Sequence, residues 1–191
     1  LDWDEVDAWR KAERERMAAA RLGMSVDERA ALTRGIIAQL DEAAGAVPGL
    51  VISGYFPFRG EPDLRPWMVA LVDRGVRVAS PVVTQRHAPL SFRLWTPAAK
   101  LTRGVLGIPI PADTASVVPN VVIAPCLAFD SACYRLGYGG GYFDRTLASF
   151  REKPLAIGVA FSRFQIETIH PQPHDVPMDK VVTERAVIRK A

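Results

Sequence analysis

Three short runs in this chain carry almost no polar residues: LVISGYF at 50–56, VVIAPCLAF at 121–129 and PLAIGVAF at 154–161. A strand with one wet face alternates apolar and polar residues, whereas a run that is apolar throughout belongs in a strand buried on both faces. Such strands need covers. The intervening sequence supplies them as helical patterns at 4–22, from 25 to about 44, at 62–75 and at 142–150. Shorter strand patterns lie at 76–80, 91–95 and 181–188, and 97–118 reads as irregular, with Pro97, Pro109 and Pro111. The alternation predicts an α/β fold in three layers, with a mostly parallel central sheet covered by helices on both faces.

Local signals mark several boundaries. Ser25 and Glu28 form an S-x-x-E capping pattern, and Gly45, Pro48 and Gly49 end the helix that follows. Pro62 is expected near the first turn of the third helix, with Pro66 still early enough to be tolerated. In the first helix, Arg10, Arg14 and Arg21 share one face of a 3.6-residue spiral. No internal repeat or linker interrupts the pattern, so residues 1–191 are expected to form a single domain.

Composition excludes some functions. No apolar run approaches the roughly 20 residues needed to span a bilayer, and the first residues lack an apolar signal core, so the cytoplasm is the expected compartment. The net charge of +3 suits an anionic small molecule as well as a nucleic acid. There is no long Lys/Arg run, no RNA-recognition signature and no zinc-finger spacing, which disfavours nucleic acid. Cys126 and Cys133 are too few for a zinc site, and a disulfide is not expected in a reducing compartment.

The segment YRLGYGGGYFDR at 134–145 holds glycines at 137, 139, 140 and 141. Bare backbone lets N–H groups converge on an anion, and a helix starting just after adds its positive end. Arg135 adds a charged donor. Neither G-x-x-x-x-G-K-[ST] nor G-x-G-x-x-G fits the spacing, so a phosphate cradle and a tight turn both stay open. The folding entropy that three consecutive glycines forfeit favours a loop kept for function. Asp144 reads either as a first-turn acid or as a Mg²⁺ ligand, with Asp175 or Asp179 as a second carboxylate. His170 and His174 have metal-pair spacing, but Pro171 and Pro173 break the helix that such a pair requires.

Five segments together resemble the 5-formyltetrahydrofolate cyclo-ligase family: the basic first helix with MSVDER at 24–29, GYFPFRGEPDLRPWM at 54–68, GIPIP at 107–111, APCLAFDSACYRLGYGGGYFDR at 124–145 and HDVPMDKVVTE at 174–184. The resemblance implies closure of 5-formyltetrahydrofolate to 5,10-methenyltetrahydrofolate with ATP and Mg²⁺, by attack of the formyl oxygen on the γ-phosphate. It places Arg10 and Arg14 at the phosphates. The loop residues Arg135, Leu136, Gly137, Tyr138, Gly139, Gly140, Gly141, Tyr142 and Phe143 line the nucleotide, with Arg135 and Tyr142 in the catalytic positions. Phe56 and Glu61 meet the folate, joined by Tyr138, Gly139 and Gly140, and Asp144 and Asp175 hold Mg²⁺. The implied partners are small molecules, with neither nucleic acid nor membrane, and a monomer is expected. Two rival readings are a paralogue with the same ATP site and another acceptor, and a non-catalytic nucleotide- or RNA-binding module. The chain also departs from the family pattern. Arg10 stands where Lys is common, and Tyr138 and Gly140 stand where some members carry basic residues. Cys126 and Cys133 replace small residues, often Gly.

Overall fold

A computed structural model describes all 191 residues. The chain runs α1 (Trp3–Leu22), α2 (Val26–Ala44), β1 (Val51–Ser53), α3 (Arg65–Asp73), β2 (Arg77–Val82), β3 (Ser91–Trp95), β4 (Leu101–Arg103) and β5 (Pro109–Pro111). It continues through β6 (Val121–Pro125), β7 (Ala128–Phe129), β8 (Arg135–Leu136), α4 (Tyr142–Ser149), β9 (Leu155–Val159), a short 3₁₀ turn (Ser162–Phe164), β10 (Lys180–Val182) and β11 (Val187–Arg189). No helix is long and apolar enough to cross a membrane.

The central sheet has seven strands in the order β11-β10-β9-β6-β1-β2-β3. The five inner strands are parallel to one another, and the edge strands β3 and β11 are antiparallel to their neighbours. Alternate residues along the strands face opposite sides. Ile52, Val78, Ile123, Ile157 and Val182 pack into a core with Met17, Ile36, Leu40, Trp67 and Leu71 from α1, α2 and α3. Val51, Ala79, Val122, Ala156 and Val181 face the other way, towards Leu147 of α4 and Phe129 of β7. The expected three layers are present. Three helices cover one face; α4 and the small β7–β8 ribbon cover the other.

The helix ends follow local chemistry. Asp2 and Glu5 form a complete capping box on α1. Ser25 Oγ accepts from the Glu28 amide at 3.0 Å, which is one half of such a box on α2. Gly45 ends α2 in the left-handed conformation, with φ 61°.

Four expectations are corrected. Pro66, not Pro62, sits in the first turn of α3, and the Pro62 carbonyl instead accepts from the Tyr55 hydroxyl at 2.9 Å. The run at 121–129 is two strands, because after Pro125 the chain leaves the sheet and β7 pairs with β8. The segment at 181–188 turns back on itself as β10 and β11. The irregular stretch 97–118 contains a two-stranded hairpin, β4–β5.

Candidate active site

The order of the inner strands reverses between β1 and β6. β1 continues through α3 to β2 on one side, while β6 and β9 lie on the other. In open parallel sheets the crevice at the carboxyl ends of the strands, beside such a reversal, is where ligands bind. Here that crevice is a cavity of about 1020 Å³. Its walls come from the segments after β1, β2, β6 and β9, from α1, and from the β4–β5 hairpin. The site residues that the resemblance implies all line it: Arg10, Arg14, Phe56, Glu61, the loop from Arg135 to Phe143, Asp144 and Asp175; Asp179, the alternative second carboxylate, does not, and accepts from the Ala156 amide at 2.8 Å instead.

The glycine loop forms one wall. Gly139 and Gly141 hold φ of 94° and 64°, a region open to glycine and strained for other residues. Gly141 is also the N-cap of α4, so the loop delivers the positive end of that helix to the cavity. A Cβ at Gly140 would lie 2.7 Å from the Tyr142 ring, and one at Gly137 would lie 2.7 Å from the Arg135 guanidinium. The bare backbone therefore lets these two side chains fold under the loop.

Arginines surround it. Arg14 Nε donates to the Gly137 carbonyl at 2.8 Å. Burial, together with the neighbouring Arg10 charge, lowers the Arg14 pKa. Arg135 is buried beneath the loop, with its guanidinium 4.9 Å from the centre of the Phe143 ring and Nη2 3.8 Å from Asp144 Oδ2. Its Nε is buried and has no hydrogen-bond partner. A buried, unpartnered donor is costly, and here it belongs to a cation on the cavity wall.

Arg10 is differently engaged. Nε donates to the Ile169 carbonyl at 3.0 Å, Nη2 to the His170 carbonyl at 2.9 Å, and the guanidinium grips both oxygens of Asp175. Burial alone would raise the Asp175 carboxyl. The hydrogen bonds from Arg10 and the Gln172 amide outweigh it and hold that carboxyl below the usual range. Asp144 uses Oδ1 to accept from the Val176 amide at 3.0 Å. No group of three or more His, Cys, Asp or Glu side chains gathers as a metal cage.

The same cavity carries Phe56 and Glu61. Phe56 packs edge-on against Trp95, with ring centres 6.1 Å apart. Glu61 is 8 % exposed, and Oε2 accepts from the Phe58 amide at 2.9 Å. Burial raises its pKa to about 7, against the opposing pull of Arg21, that amide and Arg135.

Some lining residues were not singled out from the sequence. Arg145 donates to the Gly140 carbonyl at 2.5 Å from the first turn of α4. The β4–β5 hairpin brings Val105, Leu106, Ile108 and Ile110 to the rim. Exposed apolar residues inside the VLGIPI stretch, with Gly107 able to turn, were the available signal. Phe58 and Arg59 lie beside the Tyr138 ring.

Solved structures share this architecture. An NMR structure of the 5,10-methenyltetrahydrofolate synthetase of Aquifex aeolicus matches with a TM-score of 0.80 and 31% identity, over 94% of this chain and 92% of that one. The corresponding synthetase of Mycoplasma pneumoniae matches in fold with a TM-score of 0.74 at 22% identity, over 92% of this chain and 98% of that one. The fold is that of an α/β enzyme of the ligase class. The model of the 5-formyltetrahydrofolate cyclo-ligase family matches residues 6–184. Proteins named 5-formyltetrahydrofolate cyclo-ligase from Escherichia coli K12 and Mycolicibacterium smegmatis are 34% and 32% identical over 71% and 74% of this chain, and 79% of each relative. The chain belongs to the 5-formyltetrahydrofolate cyclo-ligase family.

Proposed function

We propose that the chain, acting as one domain and as a monomer, closes 5-formyltetrahydrofolate to 5,10-methenyltetrahydrofolate while ATP becomes ADP and phosphate. The observation that carries this reading is the composition of this cavity. A glycine cradle flanked by Arg14 and Arg135 shares it with an apolar and acidic pair, Phe56 and Glu61. ATP supplies the phosphoryl group that makes the formyl oxygen a leaving group, and phosphate departs as the neighbouring folate nitrogen closes the ring.

The work left to the protein is positioning and charge neutralisation. Amides of the glycine loop and the start of α4 point partial positive charge at the phosphates. Arg135, a cation on the wall of the same cavity, adds its charge there. Tyr142, under the loop, closes the floor of the reacting region. Ionised Glu61 accepts from the N–H edge of the pterin, and Phe56 gives the ring an apolar contact. Arg10 contributes its field and holds Asp175.

Mg²⁺ fits as an ion that arrives with the phosphates. Such a site takes one or two carboxylates rather than a protein cage, and Asp144 and Asp175 are two hard-oxygen donors on the same wall. Asp144 Oδ2 has the looser engagement, since Arg135 approaches it only to 3.8 Å. The ion would neutralise charge spreading over the transferred phosphoryl group.

The test mixes purified protein with 5-formyltetrahydrofolate and Mg²⁺ and follows the near-ultraviolet absorbance of the methenyl product. Growth that requires ATP is the expected result. No growth with both substrates in excess would overturn the reading in favour of another acceptor.

A further inference from the structure

Arg21 is an unusual residue to find in an interior. It is 1 % exposed, and no Asp or Glu oxygen lies within ion-pair distance of it. A buried charge without an ion-pair partner is expensive to keep unless its donors are used. They are used on two loops that are distant in sequence. Nε donates to the Arg59 carbonyl at 3.0 Å, inside the turn that ends at Glu61. Nη2 donates to the Tyr138 hydroxyl, inside the glycine loop. The turn is closed by the Glu61 carboxylate accepting from the Phe58 amide. The same turn meets the glycine loop a second time, where the Phe58 and Tyr138 rings pack edge-on with centres 5.8 Å apart.

From this geometry we propose that Arg21 is a positioning residue that couples the turn carrying Glu61 to the glycine loop, so that occupying either side of the cavity favours binding on the other. The inference rests on the functional reading above. It turns on Arg21, which that reading does not use. A planar guanidinium can hold a carbonyl and a hydroxyl in fixed relative positions at once; an ammonium on a flexible stem cannot fix the two together. Ordering one loop therefore orders the other through Arg21, and the second ligand meets a site with less freedom left to lose. Coupling of this kind is reciprocal.

The experiment is a pair of calorimetric titrations on the full chain. 5-Formyltetrahydrofolate is titrated with and without a non-hydrolysable ATP analogue plus Mg²⁺, and the analogue with and without the folate. In the unsubstituted protein each ligand should tighten the other by the same factor, at least about fivefold. Tyr138→Phe removes the hydroxyl but keeps the ring on Phe58, and should bring that factor below twofold whatever it does to either affinity alone. Arg21→Lys should do the same. A role confined to stability would lower the unfolding midpoint and leave the factor intact. If both ligands bind and the factor is absent from the unsubstituted protein, or survives Tyr138→Phe, the coupling role is overturned and the functional reading stands. If neither ligand binds the unsubstituted protein, both fall.

Discussion

Arg10 and Asp175 stand 165 residues apart in the chain and meet with Nη2 2.5 Å from Oδ2, their side chains only 7% and 8% exposed. The pair ties α1 to the segment that follows β9, and it sits on the wall of the cavity.

Removing one partner strands the other. Arg10→Ala leaves the buried Asp175 carboxylate without its cation and the buried Ile169 carbonyl without its side-chain donor, which should lower the unfolding free energy by roughly 3–5 kcal/mol in urea titrations. The pH dependence has a definite sign. Because the Asp175 pKa is depressed in the folded state, its contribution is present above the ordinary value of about 3.9 and is lost as pH falls through the folded value. The Arg10→Ala protein should lose this part of its acid sensitivity.

Glu61 behaves oppositely. Its pKa is raised to about 7 by burial, so the folded chain holds this proton more tightly than the unfolded chain does. Between about 4.3 and 7, stability should therefore fall as pH rises. Glu61→Gln should remove that slope, leaving the variant favoured over the parent by on the order of 3 kcal/mol at pH 8. On the proposed role of the ionised carboxylate, folate affinity should rise with pH through about 7 in the parent and stay flat and weak in the variant. Parallel denaturation and binding curves from pH 5 to 8 check both.

Gly140→Val should damage ATP use more than stability. The new Cβ would lie 2.7 Å from the Tyr142 ring, so that ring must leave its place under the loop. The loop is at the surface, and its unfolding cost should stay below about 1 kcal/mol. kcat/KM for ATP should fall at least tenfold; unchanged turnover would refute the backbone cradle.

Gly158 is the fourth of the five residues of β9, where a Cβ would come 2.7 Å from Cys126 Sγ and 3.2 Å from Met178 and Val181. Gly158→Ala should cost about 1–3 kcal/mol by overpacking. Adding Cys126→Ala should recover part of that loss, and a double-mutant cycle by thermal or urea unfolding measures how much. In the parent, burial pushes the Cys126 thiol up to about 12, and it should resist thiol reagents until the chain unfolds.

The sequence made the layers of this fold readable because buried parallel strands leave an uninterrupted apolar signature. It did not show where such a strand leaves the sheet. In VVIAPCLAF the apolar character continues after Pro125, but the Leu127 amide bonds to the Leu136 carbonyl in the small ribbon. The turn between β10 and β11 was hidden for another reason. It has no Gly, Pro or Asn, and is closed instead by Thr183 Oγ1 accepting from the Arg185 and Ala186 amides. At the site, the residues matched by resemblance all reached one cavity. What spacing alone could not show was division of labour among the arginines. Arg10, Arg14 and Arg21 share a helix face, yet one binds a carboxylate, one a loop carbonyl and one a tyrosine hydroxyl.

The anchoring of α1 has a consequence for how the molecule is made. Its Arg10 and Arg14 leave the ribosome more than a hundred residues before Gly137, Ile169 and Asp175, to which they are fastened. At roughly 5–20 residues per second, Arg10 waits on the order of ten to thirty seconds for its carboxylate to be synthesised. A lone helix of this length is marginal in water, so α1 stays a loose end through most of synthesis. A segment translated well before its partners is thus among the last to be fastened, and a nascent chain stopped short of residue 175 has no finished cavity to fill.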